Sequence, residues 1–225
     1  MSRELLDAVE IQPDATPQAS VIWLHGLGAD GNDFPPMVPA LGIPKDAGVR
    51  FVFPHAPMRS VTINGGATMR AWYDIKSMDL DRHVESEDLE QSREQLEAWI
   101  AHERGLGIPS EKIVLAGFSQ GGAIVLYAGL QCGETLGGIM ALSCYHPMAE
   151  LIETRAAEAN RSVPIFMAHG TQDPVVPIYL AEATIEKLRA NGYDPEWHSY
   201  PMPHSVAPEE VQDIASWLRP LVARG

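Results

Sequence analysis

Cysteine is nearly absent, with only Cys132 and Cys144 in 225 residues. The pair lacks the ligand spacing of a zinc site and is too sparse for a disulfide framework, so both read as buried thiols. Basic charge is scarce as well: 16 Lys and Arg stand against 30 Asp and Glu, a formal net charge of −14. Such a field repels phosphate backbones, which argues against a nucleic-acid partner and against a polyanionic substrate. No apolar run approaches the ~20 residues needed to cross a bilayer, and residues 1–13 have neither the basic nor the apolar region of a secretory leader. Stable membrane insertion is therefore not expected, and the expected compartment is the cytoplasm. The G-x-G-x-x-G spacing and the Lys-Ser/Thr pair of phosphate-binding loops are also missing, and the chain has no internal repeat.

What is present is ordinary globular material. Hydrophobic residues make up 45% and charged residues 20% of the chain, and the length suits one domain with a full core. Short runs rich in Val, Ile and Phe fall at 21–25, 51–53, 112–116, 138–143, 165–169 and 197–200, with a weaker first run at 8–12. Their continuous apolar character fits strands covered on both faces. Helical patterns lie between them at 86–104, 121–131, 177–191 and 209–221. The first of these opens on Ser86, a capping residue, with Glu87 and Asp88 at the positive end of the helix dipole, and Gly105, Gly107 and Pro109 close it. Alternating strands and helices predict an α/β fold with a mostly parallel central sheet and helices on both faces, its functional loops gathered at the carboxyl ends of the strands.

The chemistry is concentrated at such loops. An apolar strand at 113–116 runs into Gly117-Phe118-Ser119-Gln120-Gly121 and then a helix, the G-x-S-x-G elbow in the context it requires. A serine on that turn stands in strained backbone, and the helix amino terminus behind it offers free amides to a developing oxyanion. Serine is a poor nucleophile until a base takes its proton, so a histidine and an orienting carboxylate must follow in the order Ser, acid, His. Asp173 sits in the loop after the strand at 165–169, although an Asp-Pro pair can equally serve as an Asx turn. Only His198 and His204 come later. His198 falls inside a strand and His204 in the loop beyond it, so His204 is the expected base. The second oxyanion donor should come from the glycine-containing loop at 25–31, with Leu27 supplying one amide and Gln120 the other.

Taken together, the segments His25-Gly26-Leu27-Gly28, Ala71-Trp72-Tyr73-Asp74, Gly117 to Gly122, His169-Gly170-Thr171-Gln172-Asp173 and His204-Ser205-Val206 resemble the phospholipase/carboxylesterase family of small α/β-hydrolases, which includes bacterial carboxylesterases and acyl-protein thioesterases. The resemblance runs from about residue 21 to the end. It implies a single α/β-hydrolase domain over 1–225, a Ser119, Asp173, His204 triad, oxyanion amides from Leu27 and Gln120, and no cofactor or metal. Asn32, where the family often has histidine, and Pro203, where it often has a polar or acidic residue, depart from that pattern.

The expected reaction is hydrolysis of short- to medium-chain carboxylic esters through an acyl-enzyme. A thioesterase or lysophospholipase activity on the same triad is the alternative, and a non-catalytic binding module the remote one. Leu27, Trp72, Leu80 and Val176 are the expected walls of an acyl site, with 75–85 as a lid or groove segment. The expected partner is a small ester or thioester, and a homodimer is compatible with the sequence.

Overall fold

The computed structural model describes residues 5–76 and 86–222. A seven-stranded sheet is built from β1 (Ala8–Ile11), β2 (Ala19–Leu24), β3 (Val49–Pro54), β6 (Ile113–Phe118), β7 (Gly138–Leu142), β8 (Ile165–Gly170) and β9 (Glu196–Tyr200). Its spatial order is β1-β3-β2-β6-β7-β8-β9. Only the edge strand β1 runs antiparallel to its neighbour; every other pairing in this sheet is parallel. A two-stranded antiparallel ribbon, β4 (Met58–Val61) and β5 (Ala67–Arg70), stands apart from it.

Side-chain alternation explains why the inner strands read as unbroken apolar runs. Ile22, Leu24, Ile113, Leu115, Ile139 and Met167 enter one buried cluster, and Val21, Trp23, Val114, Met140 and Phe166 enter the other, so successive residues serve opposite faces. The first face is covered by α1 (Ser86–Gly105), α2 (Gln120–Gln131), the single turn α3 (Ile152–Arg155) and α4 (Ile178–Ala190). The second is covered by α5 (Pro208–Val222) through Ile214, Leu218 and Val222, and by the 3-10 segment Pro35–Leu41. Helix α2 is buried from Gln120 to Leu130, as its run of small and aliphatic residues requires. Arg50 on β3, 4% exposed, bonds through Nε to both carboxylate oxygens of the fully buried Glu103 on α1 at 3.1 and 3.0 Å.

The topology fixes where a site can form. From β2 the chain steps to β3 on one side, then crosses to β6 on the other and continues away. The loops leaving β2 and β6 therefore part at a switch point, where open α/β sheets leave a crevice beyond the carboxyl ends of their strands.

Candidate active site

Ser119 follows the last residue of β6 with φ 53° and ψ −119°, a left-handed conformation that an L-residue adopts at a cost of about 1–3 kcal/mol. The flanking glycines make the turn sterically feasible. A Cβ on Gly117 would lie 2.4 Å from the Gly121 backbone, and one on Gly121 would lie 2.4 Å from the carbonyl oxygen of Leu24. The elbow is thus pressed against the end of β2.

The structure brings the three expected side chains together. His204 Nε2 is 2.9 Å from Ser119 Oγ, and His204 Nδ1 is 2.6 Å from Asp173 Oδ2. The Asp173 side chain has no solvent exposure and that of His204 has 16%. Asp173 also makes the Asx turn that its sequence allows: its Oδ1 accepts the N–H groups of Val175 and Val176, each at 2.8 Å. One carboxylate oxygen shapes the loop and the other holds the imidazole, so the two sequence readings of Asp173 describe two halves of one group. The Phe118 ring lies 4.8 Å from that of His204 and supports it from the side. His198 is placed elsewhere, stacked on Phe166 and Tyr200 in β9 and bonded to Glu196.

Leu27 and Gln120 flank Ser119, and among the described residues neither backbone N–H has a protein acceptor. Two free amides beside a strained serine, one at a helix amino terminus, can receive an oxyanion. The Gln120 side chain has separate work: its Oε1 accepts the Trp72 N–H and its Nε2 donates to the Tyr73 carbonyl, both at 2.7 Å. Nothing in the elbow motif signals this clamp. Cys144, buried and with its thiol pushed up by burial, packs against the helix side of the elbow.

A cavity of about 70 Å³ opens on Ser119, walled by Leu27, Tyr73, Ile75, Ala123, Cys144 and Val176 among others. Leu27 and Val176, expected as acyl-site walls, line this cavity. Trp72 does not: it is 1% exposed, its indole N–H donates to the His25 carbonyl at 2.9 Å, and its chain neighbour Tyr73 forms the wall instead. The chain bends at 72 and 73, and the larger ring takes the interior side. Ile75, expected in the groove segment, lines the cavity; Leu80 and the rest of 77–85 lie outside the described residues. Both cysteines are buried and free, and among the described residues no helix is long and apolar enough to cross a membrane.

Comparison with known proteins places the chain in a family. The family model described as Phospholipase/Carboxylesterase matches residues 6–222. Acyl-protein thioesterase 1 of Gibberella zeae is 39% identical over 210 residues, covering 89% of each chain. The crystal structure of Arabidopsis thaliana SOBER1 superposes with a TM-score of 0.85 at 30% identity, over 91% of this chain and 99% of that one. Zea mays acyl-protein thioesterase 2 gives 0.86 at 25%, over 96% and 99%. With its elbow, its fold and these relatives in agreement, the chain belongs to the phospholipase/carboxylesterase family and is a hydrolase of the esterase type.

Proposed function

We propose that the protein hydrolyses short- to medium-chain acyl esters and thioesters through an acyl-enzyme on Ser119. The observation that carries this reading is the unbroken hydrogen-bonded line from Ser119 Oγ through His204 to Asp173 Oδ2. His204 Nε2 takes the hydroxyl proton as Oγ bonds to the acyl carbon. The negative carbonyl oxygen is received by the Leu27 and Gln120 amides, and the leaving alkoxide or thiolate departs with the proton held on His204. Water then repeats the steps, its proton passing to His204 and back to Ser119 as the carboxylic acid leaves. Asp173 keeps the imidazole proton on Nδ1 and balances the imidazolium charge.

Two features bear on the substrate. The cavity is small, about 70 Å³, so the pocket suits a short- to medium-chain acyl group better than a palmitoyl chain. Relatives named acyl-protein thioesterase favour a sulfur leaving group, the second reading, and the triad serves either one. The test is kcat/KM over p-nitrophenyl esters from acetate to palmitate beside the matching thioesters, with fluorophosphonate labelling located by mass spectrometry. Label on Ser119 alone and a peak near butanoate to hexanoate are expected. Label on another serine would overturn the triad, and a rise continuing to palmitate would overturn the small pocket.

A further inference from the structure

His25 lies just past the end of β2, 1% exposed, between the sheet and the candidate oxyanion loop. Both its ring nitrogens are engaged. Nε2 is 3.0 Å from the backbone N–H of Ala56, and Nδ1 is 2.7 Å from the carbonyl oxygen of Gly26. A backbone N–H can only donate, so Nε2 must be the acceptor and the single proton of a neutral imidazole must sit on Nδ1, donating to Gly26. Burial favours that neutral form, lowering the ring's pKa to about 4.

The Gly26 carbonyl and the Leu27 N–H are two ends of one peptide plane. The plane is rigid and trans, so its C=O and N–H point in opposite directions. Holding the carbonyl towards His25 therefore turns the Leu27 N–H away from it. Ser119 is close to this plane: a Cβ on Gly26 would stand 3.4 Å from the Ser119 Cβ, and Leu27 lines the same cavity as Ser119. The Gly26 carbonyl also accepts the Ala29 N–H at 3.3 Å, a longer bond than the 2.7 Å one from His25, and the next plane is held by the Gly28 N–H donating to the Arg70 carbonyl at 2.9 Å. His25 is itself anchored, its carbonyl accepting from the Trp72 indole at 2.9 Å.

We infer that His25 is a positioning residue for the reaction: by gripping the Gly26 carbonyl through Nδ1–H it aims the Leu27 N–H at the oxyanion, an inference that rests on the triad reading above. The hydrogen bond to Ala56 fixes the tautomer and so decides which end of the plane is gripped. His25 never touches the substrate; its effect passes through one peptide bond.

Two conservative variants separate this role from simple structural support. In His25→Asn the side-chain Nδ2 stands near the position of the ring Nδ1 and can still donate to Gly26, while the bond to Ala56 is lost. In His25→Gln the side-chain oxygen can still accept from Ala56, while the donor to Gly26 is lost. Kinetics on p-nitrophenyl butanoate are normalised to the fraction of Ser119 that fluorophosphonate labels at completion. Removing one oxyanion donor costs about 10²–10³ in kcat, so the Gln variant should lose about 10²-fold in kcat per labelled site with KM changed less than about threefold. Its affinity for a trifluoromethyl ketone, which forms a tetrahedral oxyanion on Ser119, should fall in parallel. The Asn variant should stay within about tenfold of the parent on both measures.

Equal rates in the Gln variant and the parent, or equal losses in both variants, would overturn the role. Where the variants do not fold, nitrogen-detected NMR of the parent reads the tautomer directly, and a proton on Nε2 of His25 would overturn it just as firmly. A parent that is not labelled at Ser119 overturns the triad reading and this role with it. An active, labelled parent with an unaffected Gln variant overturns this role alone.

Discussion

Two serines in this protein share an uncommon backbone, and only one of them stands in a reactive setting. Ser119 and Ser143 are the two non-glycine residues with positive φ among the described residues, at 53° and 49°. Each follows the last residue of a parallel strand, β6 or β7, and each sends its N–H to the next strand over, to Leu142 and to Ala168, both at 2.8 Å. There the likeness ends. Ser119 opens directly into α2, lies beside the free amides of Leu27 and Gln120, and meets His204. Ser143 is fully buried, is followed by a loop instead of a helix, and its Oγ has no hydrogen-bond partner among the described residues. Strain at a strand end thus occurs twice in this sheet and does not by itself make a nucleophile. A nucleophile needs the partner histidine and the oxyanion donors as well.

The comparison can be broken most directly by exchanging the two hydroxyls for hydrogen. Ser119→Ala should lower ester turnover by roughly 10⁴- to 10⁶-fold, in line with loss of a serine nucleophile elsewhere. Ser143→Ala should leave kcat/KM within about threefold of the parent. Equal losses in the two variants would show that the strained turn, not the partnered hydroxyl, is what matters.

Next in size is the pair of carboxylate and histidine that singles out Ser119. Asp173→Asn should retain the turn through Val175 and Val176 but lose support for the correct imidazole tautomer, at a cost of about 10⁴-fold in kcat. His198→Ala, remote from the cavity, should change kcat by less than about threefold. The measurement is steady-state kinetics on one short ester, and a collapse in the His198 variant would mean that the wrong histidine has been paired.

The acyl pocket gives a smaller and graded effect. Each buried methylene contributes about 0.8 kcal/mol, so specificity should rise roughly three- to fourfold per carbon until the cavity is full. Val176→Phe should move the peak of the ester series to a shorter chain. An unchanged peak would show that the acyl chain leaves the site by another route.

The smallest effect concerns stability and tests how buried polar groups away from the site are tolerated. Like the Ser143 hydroxyl, one oxygen of the fully buried Glu210 has no partner among the described residues. Unlike a hydroxyl, it can titrate: burial first, then the nearby Asp213, raise its pKa to about 7, against the Ala207 N–H, which lowers it. A raised pKa in an acid means that the folded state keeps a proton which the unfolded chain releases. The contribution is therefore complete below the unfolded value of 4.5 and lost as pH rises to about 7. Glu210→Gln should raise Tm relative to the parent at pH 8 but not at pH 4.5, the difference corresponding to at most about 3 kcal/mol. Buried His25 and His146 act in the opposite sense, their pKa values lowered from 6.5 to about 4 and about 3, so that their contribution is lost as pH falls below 6.5. Thermal melts at the two pH values decide it, and an equal shift at both would assign the effect to packing instead of charge.

How much of this was legible in the sequence depended on whether burial left a pattern. The inner strands were legible because both faces are covered, and the elbow because sterics demand its glycines. Asp173 and His204 followed from loop position and chain order. The β4–β5 ribbon left no such trace, since Met58 is 59% exposed and its strands show no sustained alternation of apolar and polar residues. The short 3-10 turns and α3 are too brief for a period to register. The strain at Ser143 was invisible because nothing in Leu142-Ser143-Cys144 resembles a turn. The exchange of Trp72 for Tyr73 as the cavity wall, and the grip of His25 on Gly26, depend on which way a side chain points after the loop has closed, which residue type alone does not encode.

The clamp made by the Gln120 side chain has a consequence for how such a protein can change. Its carboxamide pairs with both the Trp72 N–H and the Tyr73 carbonyl, while the backbone N–H of the same residue is the proposed oxyanion donor. Reactivity and selectivity are therefore written partly in a single codon. A substitution at 120 that frees Tyr73 to resize the pocket also disturbs the segment that carries an oxyanion donor. Lineages exploring new acyl groups would be expected to do so through Ile75 and Val176, which wall the cavity without carrying an oxyanion donor, and to leave Gln120 alone.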